Sequence, residues 1–261
     1  MDSRFWKAFG DWYLFAIAAF LVIGTYYFLK LNRKEQANSY YWLPFLILVF
    51  TVFYENLGAY TNYNFEFKKS VNAFLGNTEF PKYNLWVYNL TNKQISTILY
   101  LFLIKTWLEP SKKKYINWML IVFVSVAMFL QLSGIEPLYL NQPFIFSMGA
   151  NMILLGSGLY FIGIITNDMY LKANPFRLLS FWQLTFLLFT YSLTYINSMT
   201  MIYLYEFNAP LGESIGQIDR VMGVLNKAIL VLIIASPFLG RFFDPEPFNA
   251  SKKVSDLSTQ I

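Results

Sequence analysis

Apolar and polar blocks alternate along the chain, and the apolar ones fall into seven runs separated by short polar stretches. A helix needs about 20 predominantly apolar residues to cross the roughly 30 Å hydrocarbon core of a bilayer, and the runs are of that order. They predict helices over residues 12–31, 40–58, 85–108, 116–132, 144–165, 178–203 and 220–239. The third is the least apolar, and Pro237 stands near the end of the seventh. None of the connections approaches the roughly 50 residues of a small independent domain. The expected organisation is therefore one all-α, seven-helix membrane domain, followed by a polar tail over residues 240–261. Arg4 and Lys7 ahead of an apolar run resemble a signal peptide. The run continues through Thr25, Tyr26, Tyr27 and Phe28 without a small-residue cleavage site, so it is read as a retained helix.

Composition strengthens this picture. Of 261 residues, 56% are hydrophobic, 20% aromatic and only 13% charged, against about 25% charge in soluble domains. One globular core cannot hide 27 Phe, 19 Tyr and 7 Trp, so lipid is the expected neighbour. Trp42, Trp86, Trp107, Trp118 and Trp182, with many tyrosines near helix ends, read as interfacial belts. There is neither cysteine nor histidine, which excludes disulfide scaffolds, zinc–thiolate sites, Cys or His catalysis, His-ligated haem and imidazole switches. No metal and no cofactor is expected.

Charge then sets orientation, because short loops rich in Lys and Arg stay in the cytoplasm. Lys30, Arg33 and Lys34, the Lys112–Lys114 cluster with Lys105, Lys172 with Arg177, and the tail all fall on one side. The loop around Glu136 lies opposite and is poor in basic residues. This places the N-terminus outside and the C-terminus inside, although Arg4 and Lys7 alone favour the reverse. The net charge of +5 is thus mostly topological. A triple lysine in a tight turn is no nucleic-acid surface, so the expected partners are the bilayer and a cytoplasmic or membrane signalling protein. The oligomeric state is not legible.

The candidate chemistry is the polarity left inside the membrane. A charged group at the midplane costs about 2.5–3.5 kcal/mol on insertion scales, so it needs a partner or a cavity. Glu55, Lys93, Asp219 and Lys227 qualify, with Lys227 the deepest. Asp219, Gly223, Asn226 and Lys227 share one helical face by the i, i+4, i+7, i+8 rule. Asn89, Asn92, Lys93, Ser96 and Tyr100 form a stripe on helix three, and Gln183, Thr190, Thr194 and Asn197 another on helix six. Lipid penalises such faces, so they are expected to meet in a polar seam in the outer half of the bundle. Glu55 lies at the depth to bridge to Lys227 or Lys93. The candidate ligand or ion-binding set is Lys227, Asn226, Asp219, Glu55, Lys93, Asn89, Asn92 and Asn197. The competing reading makes the same residues structural glue between helices. Gly149, Gly156 and Gly163 recur every seven residues on helix five and read as a close-packing row. The aromatic segment between residues 59 and 84 is expected to form a short helix or hairpin over the bundle mouth, as an interfacial anchor or a lid.

From helix three onward the chain resembles an uncharacterised group of bacterial seven-helix inner-membrane proteins often suspected of sensing. The matching pieces are Leu85-Trp86-Val87-Tyr88-Asn89, Asn174-Pro175-Phe176 with Phe181-Trp182, and Val224-Leu225-Asn226. The resemblance implies a helical inner-membrane fold and no activity. Where those proteins carry an acidic residue midway along helix three, this chain has Lys93, Gln94 and Ile95.

These features rank a receptor or transducer first, binding in the outer seam and acting through a partner. A small solute or ion transporter is the alternative, against which stands the absence of an internal repeat. A retinal protein ranks lower: a lysine in the seventh helix suits a Schiff base, but helix three offers no Asp or Glu between Leu85 and Leu108 as counter-ion. An enzyme is not expected, with no His, no Cys and no clustered carboxylate pair.

Overall fold

The computed structural model describes residues 3–207 and 209–248, with side chains described except at 194 and 196–209. Within these residues the chain is helical, without strands. The polar punctuation seen in the sequence does local work, because an Asn or Asp side chain at a break can accept the orphan amide protons of the helix that follows. Asp11 accepts from the Tyr13 amide at 3.0 Å and opens α2 (Trp12–Lys30) after a short α1 (Ser3–Phe9). Asn32 and Glu35 form a capping box on α3 (Arg33–Gln36). Asn38 caps α4 (Ser39–Tyr63), and Asn64 caps α5 (Phe65–Phe74).

The third predicted helix is not one regular helix. It runs as α6 (Leu85–Tyr88), a π-helical stretch over Asn89–Ile95, and α7 (Ser96–Trp107). Then come α8 (Lys113–Leu132), α9 (Pro143–Thr166), α10 (Asp168–Leu171), α11 (Leu179–Phe207) and α12 (Ala209–Ala235). The expected loop over residues 204–219 is therefore mostly helix. Its one proline, Pro210, lies in the first turn of α12, where a missing amide proton costs nothing.

Among the described residues, five helices are long and apolar enough to cross a membrane: Trp12–Lys30, Ser39–Tyr63, Lys113–Leu132, Pro143–Thr166 and Pro210–Phe238. The chain thus has the composition and architecture of a multi-pass membrane protein. The other two expected crossings fall short of that measure. One is the segment that the π-helix interrupts, and the other is α11, whose described apolar stretch is Leu179–Leu193.

Neighbouring contacts run α2 to α4, α4 to α7, α7 to α9, α9 to α11, α11 to α12 and α12 back to α2, closing a six-helix ring that α8 flanks along α7 and α9. Its core is apolar, with Ile47, Leu48, Leu101, Ile104, Ile153, Leu184, Leu230 and Ile234 fully buried. The outer faces are apolar too: Val22, Leu29, Phe129, Leu132 and Ile165 are exposed, as lipid contact requires. On α9 a Cβ at Gly149 would stand 3.0 Å from the Phe123 ring and one at Gly156 3.2 Å from Ile116, whereas at Gly163 the nearest atom is 3.7 Å away. The first two glycines therefore hold α9 close to α8; the third has slack.

Two helices begin on carboxylates borrowed from elsewhere in the chain. The Phe144 and Ile145 amides of α9 donate to the two oxygens of buried Glu136, at 2.7 and 2.9 Å. At the other end of the bundle, the Ser180 amide and hydroxyl in the first turn of α11 donate to the two oxygens of buried Glu246, at 3.0 and 2.7 Å. The start of the tail is thus folded back on the bundle. Asp244 donates its amide to the Arg177 carbonyl and pairs with the Arg177 guanidinium at 3.1 Å, and Phe248 packs edge-on to Tyr170.

Candidate functional site

A cavity of about 460 Å³ opens at the end of the ring where α1 meets α2. Its mouth carries Lys7, Asp11, Asn62 and Arg220; its walls are Tyr13, Tyr54, Glu55, Tyr88 and Tyr191; its floor is Tyr100, Asn226 and Lys227. Asp219 and Gly223 continue the α12 face toward the mouth. The periodic face read on the seventh helix therefore lines the cavity from end to end.

The hydrogen bonds are concentrated at the mouth and the floor. Arg220 donates to Asp11 at 3.3 Å, while the other Asp11 oxygen caps α2. On the floor Asn226 Oδ1 accepts from the Tyr100 hydroxyl at 2.9 Å and from Gln183 Nε2 at 2.8 Å. Its own Nδ2 is buried without a partner among the described residues. Gly58 lets α4 approach so closely that a Cβ there would collide with the Tyr88 hydroxyl, which holds that ring on the cavity wall.

Lys227 is only 7% exposed, and its ammonium lies 5.7 Å from the Tyr100 ring centroid. The ion pairs among the described residues are Lys112–Glu109, Arg177–Asp244 and Arg220–Asp11. The expected bridge from Glu55 to Lys227 or Lys93 is not among them; Glu55 on the wall and Lys227 on the floor line the same cavity. Within the described residues no three His, Cys, Asp or Glu side chains gather closely enough to hold a metal ion.

Other members of the expected set go elsewhere. Asn89 donates to the Leu138 and Leu140 carbonyls at 2.8 and 2.5 Å, and Lys93 to Asn141 Oδ1 at 3.2 Å while lying over the Phe146 ring. Both fasten the loop before α9. Asn92, at the rim, accepts from Tyr54 at 3.4 Å and does line the cavity. The cause of the split is the π-helix: its i→i+5 bonding rotates residues off the 3.6-residue stripe. Asn197 lies outside the residues whose side chains are described. The residues between 59 and 84 continue α4 and then form α5, with Asn72 and Asn77 buried and tied to each other and to the Pro81 and Tyr83 carbonyls.

Sequence reading missed the tyrosines. Tyr13, Tyr54 and Tyr88, toward helix ends, were indistinguishable from interfacial residues, since tyrosine there serves either role, and Tyr191, midway along α11, falls outside the polar stripe read on that helix. Asp11 and Arg220 were equally hidden, because they meet only when α2 and α12 pack. Below the floor, Gln183 connects the site to the first turn of α11, three residues from Ser180, where Glu246 docks. Burial pushes the Glu246 carboxyl up to about 7. No known protein family, no curated protein and no solved structure matches the chain.

Proposed function

We propose that the protein is a seven-helix receptor of the bacterial inner membrane, with the N-terminus outside, that binds a small ligand in this cavity and signals through its tail to a cytoplasmic or membrane partner. The observation that carries the reading is a continuous route. Asn226 on the cavity floor is hydrogen-bonded to Gln183, one turn of α11 leads from Gln183 to Ser180, and Ser180 holds Glu246 of the tail. A ligand that accepts a hydrogen bond from Asn226 Nδ2 pulls on the same amide whose oxygen holds Gln183 of α11. A solute or ion transporter is the second reading, favoured by the charged lining of the cavity. The polar, tyrosine-rich lining argues against a polyene such as retinal, which needs an apolar slot.

The test uses Gly223→Cys, a cavity position where a Cβ would meet Tyr13 no closer than 3.7 Å, in a chain that has no other cysteine. A membrane-impermeant thiol reagent added to spheroplasts should label it, and added to inverted vesicles should not. Labelling should also loosen a spin label on the tail. Labelling from both sides would move the assignment to a transporter; no labelling from outside would remove the receptor reading.

A further inference from the structure

We propose that the cavity takes a small zwitterion, its carboxylate held by Lys227 and Asn226 and its cationic amine by Glu55 and the tyrosine faces. The proposal rests on the reading of this cavity as a ligand site and names the chemistry of what enters it.

The lining carries three cations, Lys7, Arg220 and Lys227, and three anions, Asp11, Glu55 and Asp219. Arg220 and Asp11 satisfy each other at the mouth. Asp219 has interactions of its own, and Lys7 is exposed on α1. Glu55 on the wall and Lys227 on the floor remain, with no hydrogen bond or ion pair to a described residue. This fold shows what a buried carboxylate with a structural duty looks like. Glu136 and Glu246 each receive two hydrogen bonds from the first turn of a helix. Lys227, just as buried, receives no such treatment. A buried charge left without hydrogen bonds is costly, and inside a membrane it marks a site for something that binds there.

A second observation points to the same ligand group. Asn226 Nδ2, next to Lys227 in the chain, is a buried donor with no partner among the described residues. Ammonium and amide together present donors that suit one carboxylate. On the Glu55 side, Tyr13, Tyr54 and Tyr88 line the cavity, and aromatic rings are the side chains that suit an alkylammonium. A simple anion would leave Glu55 facing added negative charge, and a simple cation would leave Lys227 unmet. A zwitterion satisfies both and keeps the lining neutral.

The experiment measures binding to full-length protein in lipid nanodiscs by calorimetric titration. The probes are the ω-amino acids from glycine to 6-aminohexanoate, with butyrate and butylammonium as single-charge controls. One chain length is expected to bind at least about tenfold more tightly than either control. Lys227→Met should lower that affinity more than about tenfold and abolish butyrate binding, and Lys227→Arg should keep binding but shift the preferred length. Glu55→Gln should remove the preference over butyrate, and Lys93→Met, outside the cavity, should change nothing. Equal affinity for the controls, or full binding by Lys227→Met, overturns the zwitterion. Absence of binding by every probe also overturns it, and external labelling of Gly223→Cys then shows that the cavity remains a ligand site for another chemistry. Failure of both removes the ligand site itself.

Discussion

Docking of the tail should weaken as the pH rises, because the carboxylate that anchors it is buried among neutral groups. Glu246 faces Ser180 of α11, Tyr160 of α9, Tyr170 of α10 and Tyr40 of α4, and among the described residues no cation pairs with it. Desolvation outweighs the two Ser180 hydrogen bonds and pushes its carboxyl from 4.5 to about 7. The docked tail therefore binds a proton more tightly than a released one. Docking is strongest below the released value, and its advantage declines as pH rises through the docked value. The full difference corresponds to about 3 kcal/mol. Linkage converts it into an increase in tail release of about 70-fold between about pH 5 and about pH 8. The absence of cysteine makes the measurement clean, since Phe242→Cys, at an exposed position, takes a single nitroxide label. Its spectrum should gain a mobile component across that interval. Glu246→Gln should flatten the profile while keeping the tail docked. A label equally immobile at both ends of the range would refute the reasoning, as would an unchanged profile in Glu246→Gln.

Replacing Asn226 with Leu leaves the Tyr100 hydroxyl and the Gln183 amide without their shared acceptor, and should cost about 1–2 kcal/mol of stability in thermal unfolding of the protein in detergent. Gly149→Ala must push aside the Phe123 ring and should cost about 1–3 kcal/mol in the same assay, while Gly163→Ala should be silent because its nearest neighbour lies 3.7 Å away. Glu136→Ala uncaps α9 and should lose about 1–2 kcal/mol, with Glu136→Gln recovering part of it.

What could be read from the sequence followed from what each signal depends on. The α12 face of Asp219, Gly223, Asn226 and Lys227 was legible because helical periodicity is local, and these residues do line one cavity. The stripe on the third segment was misread for a related reason: its spacing assumes 3.6 residues per turn, and the π-helix over Asn89–Ile95 sends Asn89 and Lys93 to the loop before α9 instead. The helix begun at Ala209 was hidden because Gly212, Ser214 and Gly216 resemble a loop, although the helix passes through all three. Glu136 and Glu246 were illegible as caps. A local cap precedes its helix by one to three residues, whereas Glu246 lies 66 residues beyond Ser180. Only the packed tail brings them together.

The layer under the cavity bears on which of the two proposed readings, receptor or transporter, the packing supports. Past Lys227, away from the mouth, α12 continues with Leu230, Val231, Ile233 and Ile234. Leu184 on α11, Leu101 and Ile104 on α7, and Ile47 and Leu48 on α4 pack around them, and all are buried. Opening a path to the far side would hydrate several of these side chains at once, at about 1.5–3 kcal/mol for each one exposed to water. The Glu246 latch on Ser180 closes the far end of that layer. The hydrogen-bonded route from Asn226 through Gln183 to α11 asks for much less, since turning one amide at the floor perturbs the first turn of α11 without wetting the core. A coupling of about 1–3 kcal/mol is within the reach of such an exchange and is enough to shift a docked tail. The dry layer is therefore a barrier to passage while the floor remains a lever, and this asymmetry favours detection over transport.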